Sequence, residues 1–174
     1  MEDWPGIMRR HTAMVWETVF RILGRESDAA DAFQETFIAA LRLARRQRVD
    51  NWEATLRHVA TARAIDVLRR RLRDNCRIDE KPEWESLVVN DPGPLEEIQN
   101  RELIEQLRLS LAELTPQQAE AYCLRYINEW SYEQIADHCK VTVSAVGTML
   151  NRTRARLIEL LRKRIALHEV KNEK

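Results

Sequence analysis

The chain has 174 residues, which is enough for one ordinary domain or two small ones, and 44% of them are hydrophobic. Charged residues make up 32% of the chain, and no apolar run approaches the roughly 18 residues that cross a membrane, so we expect a soluble, cytoplasmic protein without membrane insertion. Three cysteines without CxxC spacing argue against a disulfide framework and favour reduced thiols.

The net charge of zero conceals three blocks of strong charge. Residues 57–77 carry seven arginines against two aspartates, a net charge of +5. Residues 143–164 carry five arginines and a lysine against one glutamate, again +5. Between them, residues 79–105 have nine acids against two bases, a net charge of −7. Two basic blocks flanking an acidic connector leave nucleic-acid binding open despite the neutral total.

Glycine and proline are scarce, with 4 and 5 residues, and strand-type alternation is absent, so the chain is predicted to be all-α. A first helix is expected from Trp4 to Leu23, ended by Gly24, the residue type most often found in a left-handed helix cap. A second helix is expected from an N-cap at Ser27 to about Arg46.

The third helix is predicted to open with Asp50 and Glu53 at capping-box spacing and to continue to about Arg73. Its apolar residues fall on more than one side, which is typical of a helix packed between others. The segment that follows lacks helical periodicity and ends in "NDPGP", a strong helix breaker. We therefore divide the chain into two small helical domains, 1–77 and 101–174, joined by an acidic linker, 78–100.

Three polar residues predict helix starts in the C-terminal domain. Thr115 precedes a proline and is followed by a glutamine three residues later, which makes a capping box. Ser131 repeats the capping box, with Trp130 placed to form a hydrophobic staple with Ile135. Thr142 is expected to cap a long last helix. A short helix, a tight turn and a longer basic helix indicate a helix-turn-helix.

The last helix has one apolar face and one face suited to DNA. The apolar face, expected to pack inward, contains Val143, Val146, Leu150, Leu157 and Leu161. The opposite face is centred on Thr148, with short polar or methyl-bearing side chains and one arginine that are compatible with base edges in a major groove. Later arginines suit phosphates, which supply affinity rather than sequence information.

Three stretches taken together resemble the sigma factors of bacterial RNA polymerase, in particular the short extracytoplasmic-function (ECF) group. They are "ESDAADAFQETFIAAL", "LRHVATARAIDVLRRRLR" and, after the acidic linker, "LAELTPQQAEAYCLRYINEWSYEQIADHCKVTVSAVGTMLNRTRARL". The resemblance covers nearly the whole chain and keeps the motifs in the family's order. It implies two helical domains, a core-polymerase partner and promoter DNA.

The resemblance assigns a docking surface for core RNA polymerase to the second helix. Its residues are Asp31, Gln34, Glu35 and Phe37. Asp28, Asp31 and Glu35 recur at spacings of three and four, so they project from one side and can meet arginines on a partner helix. The alternatives are a metal or acid–base carboxylate pair, and a helix face that is simply solvated.

The resemblance assigns binding and melting of the minus-10 promoter element to the third helix. The residues expected to contact this element are Thr61, Ala62, Arg63, Arg69, Arg70 and Arg73. The family commonly has an Arg-Asn pair where this chain has Thr61 and Ala62, so the base contacts stay open. The phosphate anchors are expected to be Arg69, Arg70, Arg71 and Arg73.

The resemblance places minus-35 recognition on the last helix. The residues expected to contact DNA are Thr142, Ser144, Ala145, Thr148, Asn151, Arg152, Arg154 and Arg156. Many family members have lysine at position 147 and arginine at position 149, where this chain has Gly147 and Met149. The loss of two cations is expected to weaken sequence-independent affinity more than base choice. The alternative is an ordinary amphipathic surface helix.

The chain is therefore expected to be a sigma factor without catalytic residues, a metal or a cofactor, monomeric when free, with an anti-sigma factor as a further partner. One alternative is a stand-alone helix-turn-helix regulator, which needs no polymerase-docking face. Another is a degenerate sigma-like adaptor that binds polymerase or another partner without opening promoters. His11, His58 and His168 are isolated in the sequence and carry no assigned role.

Overall fold

A computed structural model describes residues 3–77 and 95–172 of the chain, with side chains for residues 3–74 and 101–166. These ranges contain seven helices and no strand, which confirms the all-α prediction. The helices are α1 Trp4–Leu23, α2 Glu26–Ala44, α3 Trp52–Arg77, α4 Leu95–Ala112, α5 Pro116–Tyr126, α6 Tyr132–Cys139 and α7 Val143–Asn172. In the described ranges, none of these helices is both long and apolar enough to cross a bilayer.

Two helix starts in the N-terminal half differ from the prediction. Helix α2 begins at Glu26, so Ser27 lies inside its first turn and the predicted N-cap is wrong; Arg25 occupies that position without a side-chain cap bond. Helix α3 is capped by Asn51, whose Oδ1 accepts the Ala54 N–H at 3.0 Å, whereas Asp50 pairs with an arginine in solvent. The predicted end of α1 is confirmed, because Gly24 adopts the left-handed conformation with φ of 67°.

The helix starts in the C-terminal half are confirmed. Thr115 and Ser131 each form a complete capping box, in which the side chain accepts from a backbone N–H three residues later. Thr142 Oγ1 accepts the Ala145 N–H at 3.2 Å at the start of α7. Lys140, in the left-handed conformation with φ of 57°, makes the tight turn between α6 and α7. The helix-turn-helix therefore forms from hydrogen bonds that each span only a few residues.

Helix α3 is the centre of the molecule, as its apolar residues on several sides predicted. It packs against α1 and α2 in the N-terminal half and against α4 and α5 in the C-terminal half. Leu56 and Leu68 of α3 are fully buried with Val19 and Ile22 of α1. The burial of so much aliphatic surface along one helix makes α3 the element on which the other helices are positioned.

Two apolar clusters organise the C-terminal half. The smaller one joins α5 to the helix-turn-helix and contains Leu124 of α5, Ile135 of α6, and Val146 and Leu150 of α7. The larger one is shared with the N-terminal half, because residues of α4, α5 and α7 such as Leu111, Cys123 and Leu157 join the core built by α1 to α3. The two helical units are thus packed on each other rather than only tethered.

Polar contacts reinforce the packing between the halves. Arg69 of α3 donates from Nη2 to the Leu114 carbonyl at 3.1 Å and from Nε to the Ala112 carbonyl at 3.4 Å. Arg108 of α4 donates to the Ile22 carbonyl at 3.0 Å. The Ile22 and Ala112 carbonyls lie at the C-terminal ends of α1 and α4, where backbone acceptors have no partner within their own helix, and Leu114 lies in the turn after α4.

The predicted linker overlaps a helix at its C-terminal end. Helix α4 begins at Leu95, inside the segment 78–100, and residues 78–94 lie outside the described ranges. The division into domains 1–77 and 101–174 stays a prediction.

Candidate nucleic-acid and partner interfaces

The residues predicted to contact the minus-35 element, called the minus-35 surface below, lie at the N-cap and on the first four turns of α7. All eight residues assigned to it are exposed, from Thr142 to Arg156. The Thr148 hydroxyl donates its hydrogen to the Ser144 carbonyl at 3.1 Å. Its oxygen can therefore accept a hydrogen bond from a base edge, and its methyl group can make an apolar contact. The exposed side chains form one continuous face opposite the buried Val146 and Leu150.

The apolar face of α7 differs in part from the predicted set. Val143 is 43% exposed and Leu161 is only half-buried, whereas Thr153 and Leu160 are buried. The reason is that α7 packs on α5 and α6 with its first part and on α4 with its later part, so the inward direction changes along the helix.

Gly147 lies at the edge of the minus-35 surface and is not required by the packing of the chain. A Cβ added there would meet only the Tyr132 ring, at an ordinary van der Waals distance of 3.7 Å. Because glycine costs up to about 1 kcal/mol in a helix relative to alanine, its presence is not explained by contacts within the chain.

Arg156, one of the predicted DNA contacts, forms an ion pair within α7. Its Nη1 donates to Glu159 at 2.8 Å, and Lys163 lies 3.1 Å from the same carboxylate. Hydrogen bonds from these two cations lower the pKa of Glu159. Part of the positive charge of Arg156 is therefore offset where a phosphate would approach.

The minus-10 residues are divided between exposed and buried positions on α3. Ala62, Arg70 and Arg73 are exposed. Thr61 is buried, at 1% exposure, and Arg69 is bonded to carbonyls of the C-terminal half. Neither of these two side chains can contact DNA in the packed arrangement, which corrects their assignment for this conformation.

Arg63 and Arg71, the other cations of α3 discussed above, both have acidic partners. Arg63 is half-buried and lies 3.5 Å from Asp66. Arg71 is 10% exposed and donates to Asp28 at 2.6 Å and to the Leu23 carbonyl at 3.1 Å. The expectation that Arg71 anchors a phosphate is wrong for this arrangement, because its guanidinium lies inside the protein.

Three of the four residues predicted to dock on polymerase lie at a groove between α2 and α3. Asp31, Gln34 and Glu35 are exposed and line it together with Arg63 and Arg70. The groove thus brings two acidic side chains of α2 next to cations of α3, and it is open to solvent.

Phe37 does not belong to the docking surface. It is 6% exposed and packs edge-on against Phe33, with ring centroids 5.2 Å apart. Asp28, the third acid of the predicted stripe, is held by Arg71. Both residues therefore support the fold, and the available docking set is reduced to Asp31, Gln34 and Glu35.

A cluster that the sequence did not indicate joins the two halves. His58 of α3 and His138 of α6 both contact Oε1 of Glu120 in α5, with His138 Nε2 at 2.9 Å. Burial by itself would raise the pKa of Glu120, but the hydrogen bonds to His138 and His58 outweigh it and lower that pKa to about 2. The hydrogen bond to Glu120 raises the pKa of His58 against the opposing effect of burial.

Two family matches correspond to the two halves. Residues 7–74 match the family Sigma-70 region 2, and residues 104–157 match Sigma-70, region 4. This chain belongs to the sigma-70 family. The first match contains α2 and most of α1 and α3, with the groove between α2 and α3, and the second contains the helix-turn-helix through Leu157.

The ECF resemblance is confirmed by a relative of this sigma-70 member. The chain is 30% identical to the ECF RNA polymerase sigma factor SigE of Mycolicibacterium smegmatis over 164 residues. This match covers 94% of the chain. The chain spans 63% of the length of that relative.

Two solved structures share the fold of this sigma-70 member. The sigma factor RpoE of Bartonella quintana, in complex with the anti-sigma factor NepR, has a TM-score of 0.50 at 19% identity, covering 93% of this chain and 98% of that one. CnrH, in complex with the cytosolic domain of CnrY, has a TM-score of 0.52 at 20% identity, covering 92% of this chain and 88% of that one. At these identities the two structures support the two-part helical fold.

Proposed function

We propose that this sigma-70 member is a non-catalytic sigma factor that binds core RNA polymerase, recognises promoter DNA and directs its opening in the cytoplasm. The observation that carries the proposal is the continuous exposed face at the start of α7, which has eight exposed side chains between Thr142 and Arg156. This face belongs to a helix-turn-helix that packs with α5 around a buried apolar cluster. The exposed acids Asp31 and Glu35 supply the second feature that a sigma factor needs, a face for polymerase.

The weak charge of the reading face supports a polymerase-bound protein over a stand-alone regulator. From Val143 to Asn151 the face has no cation, and Arg152 is the first one along α7. Phosphate contacts supply most of the affinity of a free DNA-binding protein. A sigma factor is held at the promoter by polymerase, so its reading helix needs fewer of them.

Transcription with purified components tests the function. Core polymerase is incubated with fragmented host DNA, with and without the chain, and the 5′ ends of the transcripts are sequenced. We expect defined start sites only when the chain is present. DNA binding by the chain without core, and no defined starts with it, would instead support a stand-alone regulator. Stable core binding without initiation would support a sigma-like adaptor.

Replacement of Arg152 by alanine tests base reading by α7. We expect the polymerase complex to lose about 1–3 kcal/mol of binding on its preferred upstream sequence, because a bidentate arginine–base contact contributes that much discrimination. The loss on a shuffled upstream sequence should be much smaller. Competition binding between the two fragments measures the difference.

The matched control is Arg154→Ala, which removes a second exposed arginine from the same helix. If Arg154 contacts only phosphate, its loss should weaken both fragments equally. Equal losses on both fragments with Arg152→Ala would make Arg152 a phosphate contact and contradict its role in base reading.

We further propose an anti-sigma factor as a regulatory partner. The support is that each of the two cited structures with this fold contains a second protein, since RpoE is bound to the anti-sigma factor NepR and CnrH to the cytosolic domain of CnrY.

A further inference from the structure

Three side chains that commonly bind metals meet where the N-terminal half packs on the C-terminal half. His58 lies on α3, Glu120 on α5 and His138 on α6. His58 Nδ1 and His138 Nε2 both contact Oε1 of Glu120, and the three donor atoms lie within 4.8 Å of one another. Two imidazole nitrogens and a carboxylate oxygen therefore converge on one point, and neither half has the full set alone.

The donor set and its spacing fit a divalent transition-metal ion of the zinc class. Zinc binds imidazole nitrogen and carboxylate oxygen at about 2.0–2.2 Å in tetrahedral geometry, so its ligand atoms stand roughly 3.3 Å apart. The separations here are 2.9 Å for His138 and Glu120 and at most 4.8 Å for any pair. The required spacing therefore falls between the His138–Glu120 separation and the upper limit for any pair. The side chains are between 21% and 43% exposed, so an ion and a completing water can enter.

The surroundings favour nitrogen and oxygen ligands over thiols. Among the described residues, the group of donor atoms that meet here contains His58, Glu120 and His138 and no cysteine Sγ. Cys123 is fully buried, so its thiol does not face an ion that enters from solvent. The Trp130 ring packs edge-on against the His138 ring at 5.5 Å between centroids, which restricts the orientation of that imidazole.

We propose that His58, Glu120 and His138 bind one divalent transition-metal ion of the zinc class between the two halves, and that the ion stabilises their packed arrangement. The ion takes the place of the proton shared between an imidazole and the carboxylate. Because His58 belongs to one half and the other two ligands to the other, only the packed arrangement offers all three. An ion at ten times its Kd raises the ratio of packed to separated molecules about tenfold.

The site has a consequence for DNA binding. The packing that completes it also holds Arg69 on the carbonyls of Ala112 and Leu114. A bound ion therefore keeps this arginine of the minus-10 set away from DNA. This consequence rests on the proposed function, whereas the ion site does not.

Calorimetric titration of the full-length, chelator-treated chain with zinc chloride tests the site, and cobalt absorption reports tetrahedral nitrogen and oxygen ligands. We expect one ion per chain. Each of His58→Gln, Glu120→Gln and His138→Gln should weaken binding at least tenfold, because the loss of an outer-shell partner alone costs about 10–100-fold. The controls His11→Gln and Cys139→Ser should bind zinc as the unaltered chain does. Circular dichroism of each variant without metal checks its fold.

Two results would overturn the proposal. Zinc binding that is absent at millimolar concentration, or unchanged in all three variants, means that the cluster is not the site. Binding lost in His138→Gln but retained in His58→Gln means that the ion sits within the C-terminal half and does not bridge. Neither result depends on polymerase or promoter DNA, so a failure here is distinct from a failure of the sigma-factor function.

Discussion

Replacement of Asp31 and Glu35 together by alanine is expected to weaken binding to core RNA polymerase by roughly tenfold to a thousandfold while the fold stays intact. The two carboxylates stand one helical turn apart on the solvent side of α2, at the groove that α2 forms with α3. Truncation of one member of a hydrogen-bonded charge pair costs about 2–5 kcal/mol, since the partner charge is left buried and unpaired.

The effect on stability should be small, because neither carboxylate is buried and solvated surface substitutions usually change stability by less than about 0.5 kcal/mol. Co-purification with tagged core polymerase, followed by titration of fluorescent protein, measures the loss. The same experiment with raised salt should reduce the difference between variant and unaltered chain, because exposed charges are screened.

A matched control is available on α6. Glu133 and Asp137 are also two exposed carboxylates one turn apart on a short helix. Their replacement by alanine removes the same charge from the chain and should leave core binding within a factor of a few. Equal weakening by both double variants would show that only net charge matters. Unchanged binding by the Asp31 and Glu35 variant would contradict the docking assignment.

Replacement of Arg71 by methionine is expected to lower the free energy of unfolding by roughly 2–4 kcal/mol. Arg71 is 10% exposed and joins three elements, with Nε on Asp28 of α2 at 2.6 Å, Nη1 on the Leu23 carbonyl of α1 at 3.1 Å, and Glu105 of α4 at 3.6 Å. Methionine keeps most of the apolar stem but leaves two carboxylates and a helix-end carbonyl without their cation.

The expected loss lies below the largest values known for buried ion pairs, because Asp28 and Glu105 keep about 30% and 28% of their side chains in water. Urea unfolding followed by tryptophan fluorescence and circular dichroism measures it. Arg70→Met is the matched control, since Arg70 is the exposed neighbour on the same helix and its loss should change stability by less than about 0.5 kcal/mol. Similar small losses in both variants would contradict the structural role of Arg71.

Arg70 and Arg71 also show that the arginines of α3 have two different roles, since Arg70 is exposed to solvent and Arg71 is bound within the protein. The sequence presents Arg69 to Arg73 as one set of phosphate anchors, but the structure gives only Arg70 and Arg73 to solvent. Arg69 and Arg71 hold helix ends and an acidic partner. Minus-10 contacts by Arg69 therefore require that the halves separate, which links promoter binding to the packing described above.

Local chemistry determined most of the helix boundaries that were predicted within the described residues. The C-terminal end of α1 and the first residues of α5, α6 and α7 followed from caps whose hydrogen bonds reach only three or four residues. Both partners of such a bond lie close together in the sequence. The two wrong N-caps, at Ser27 and Asp50, differ by a residue or two from the observed ones. Asn51 caps α3 in place of its neighbour Asp50, whereas α2 begins after Arg25 without a side-chain cap bond. The exposed face of α7 also followed, since helical periodicity alone fixes which side chains lie together.

Only the tertiary structure decided which charged side chains are exposed for a partner and which are paired within the protein. Asp28 and Arg71 are 43 positions apart, and His58 and Glu120 are 62 apart, so no local pattern pairs them. The burial of Phe37 and Thr61 likewise depends on how α2 and α3 face their neighbours. Helix formation is governed by contacts along the chain, whereas the pairing of charges is governed by how the helices pack, and packing brings distant residues together.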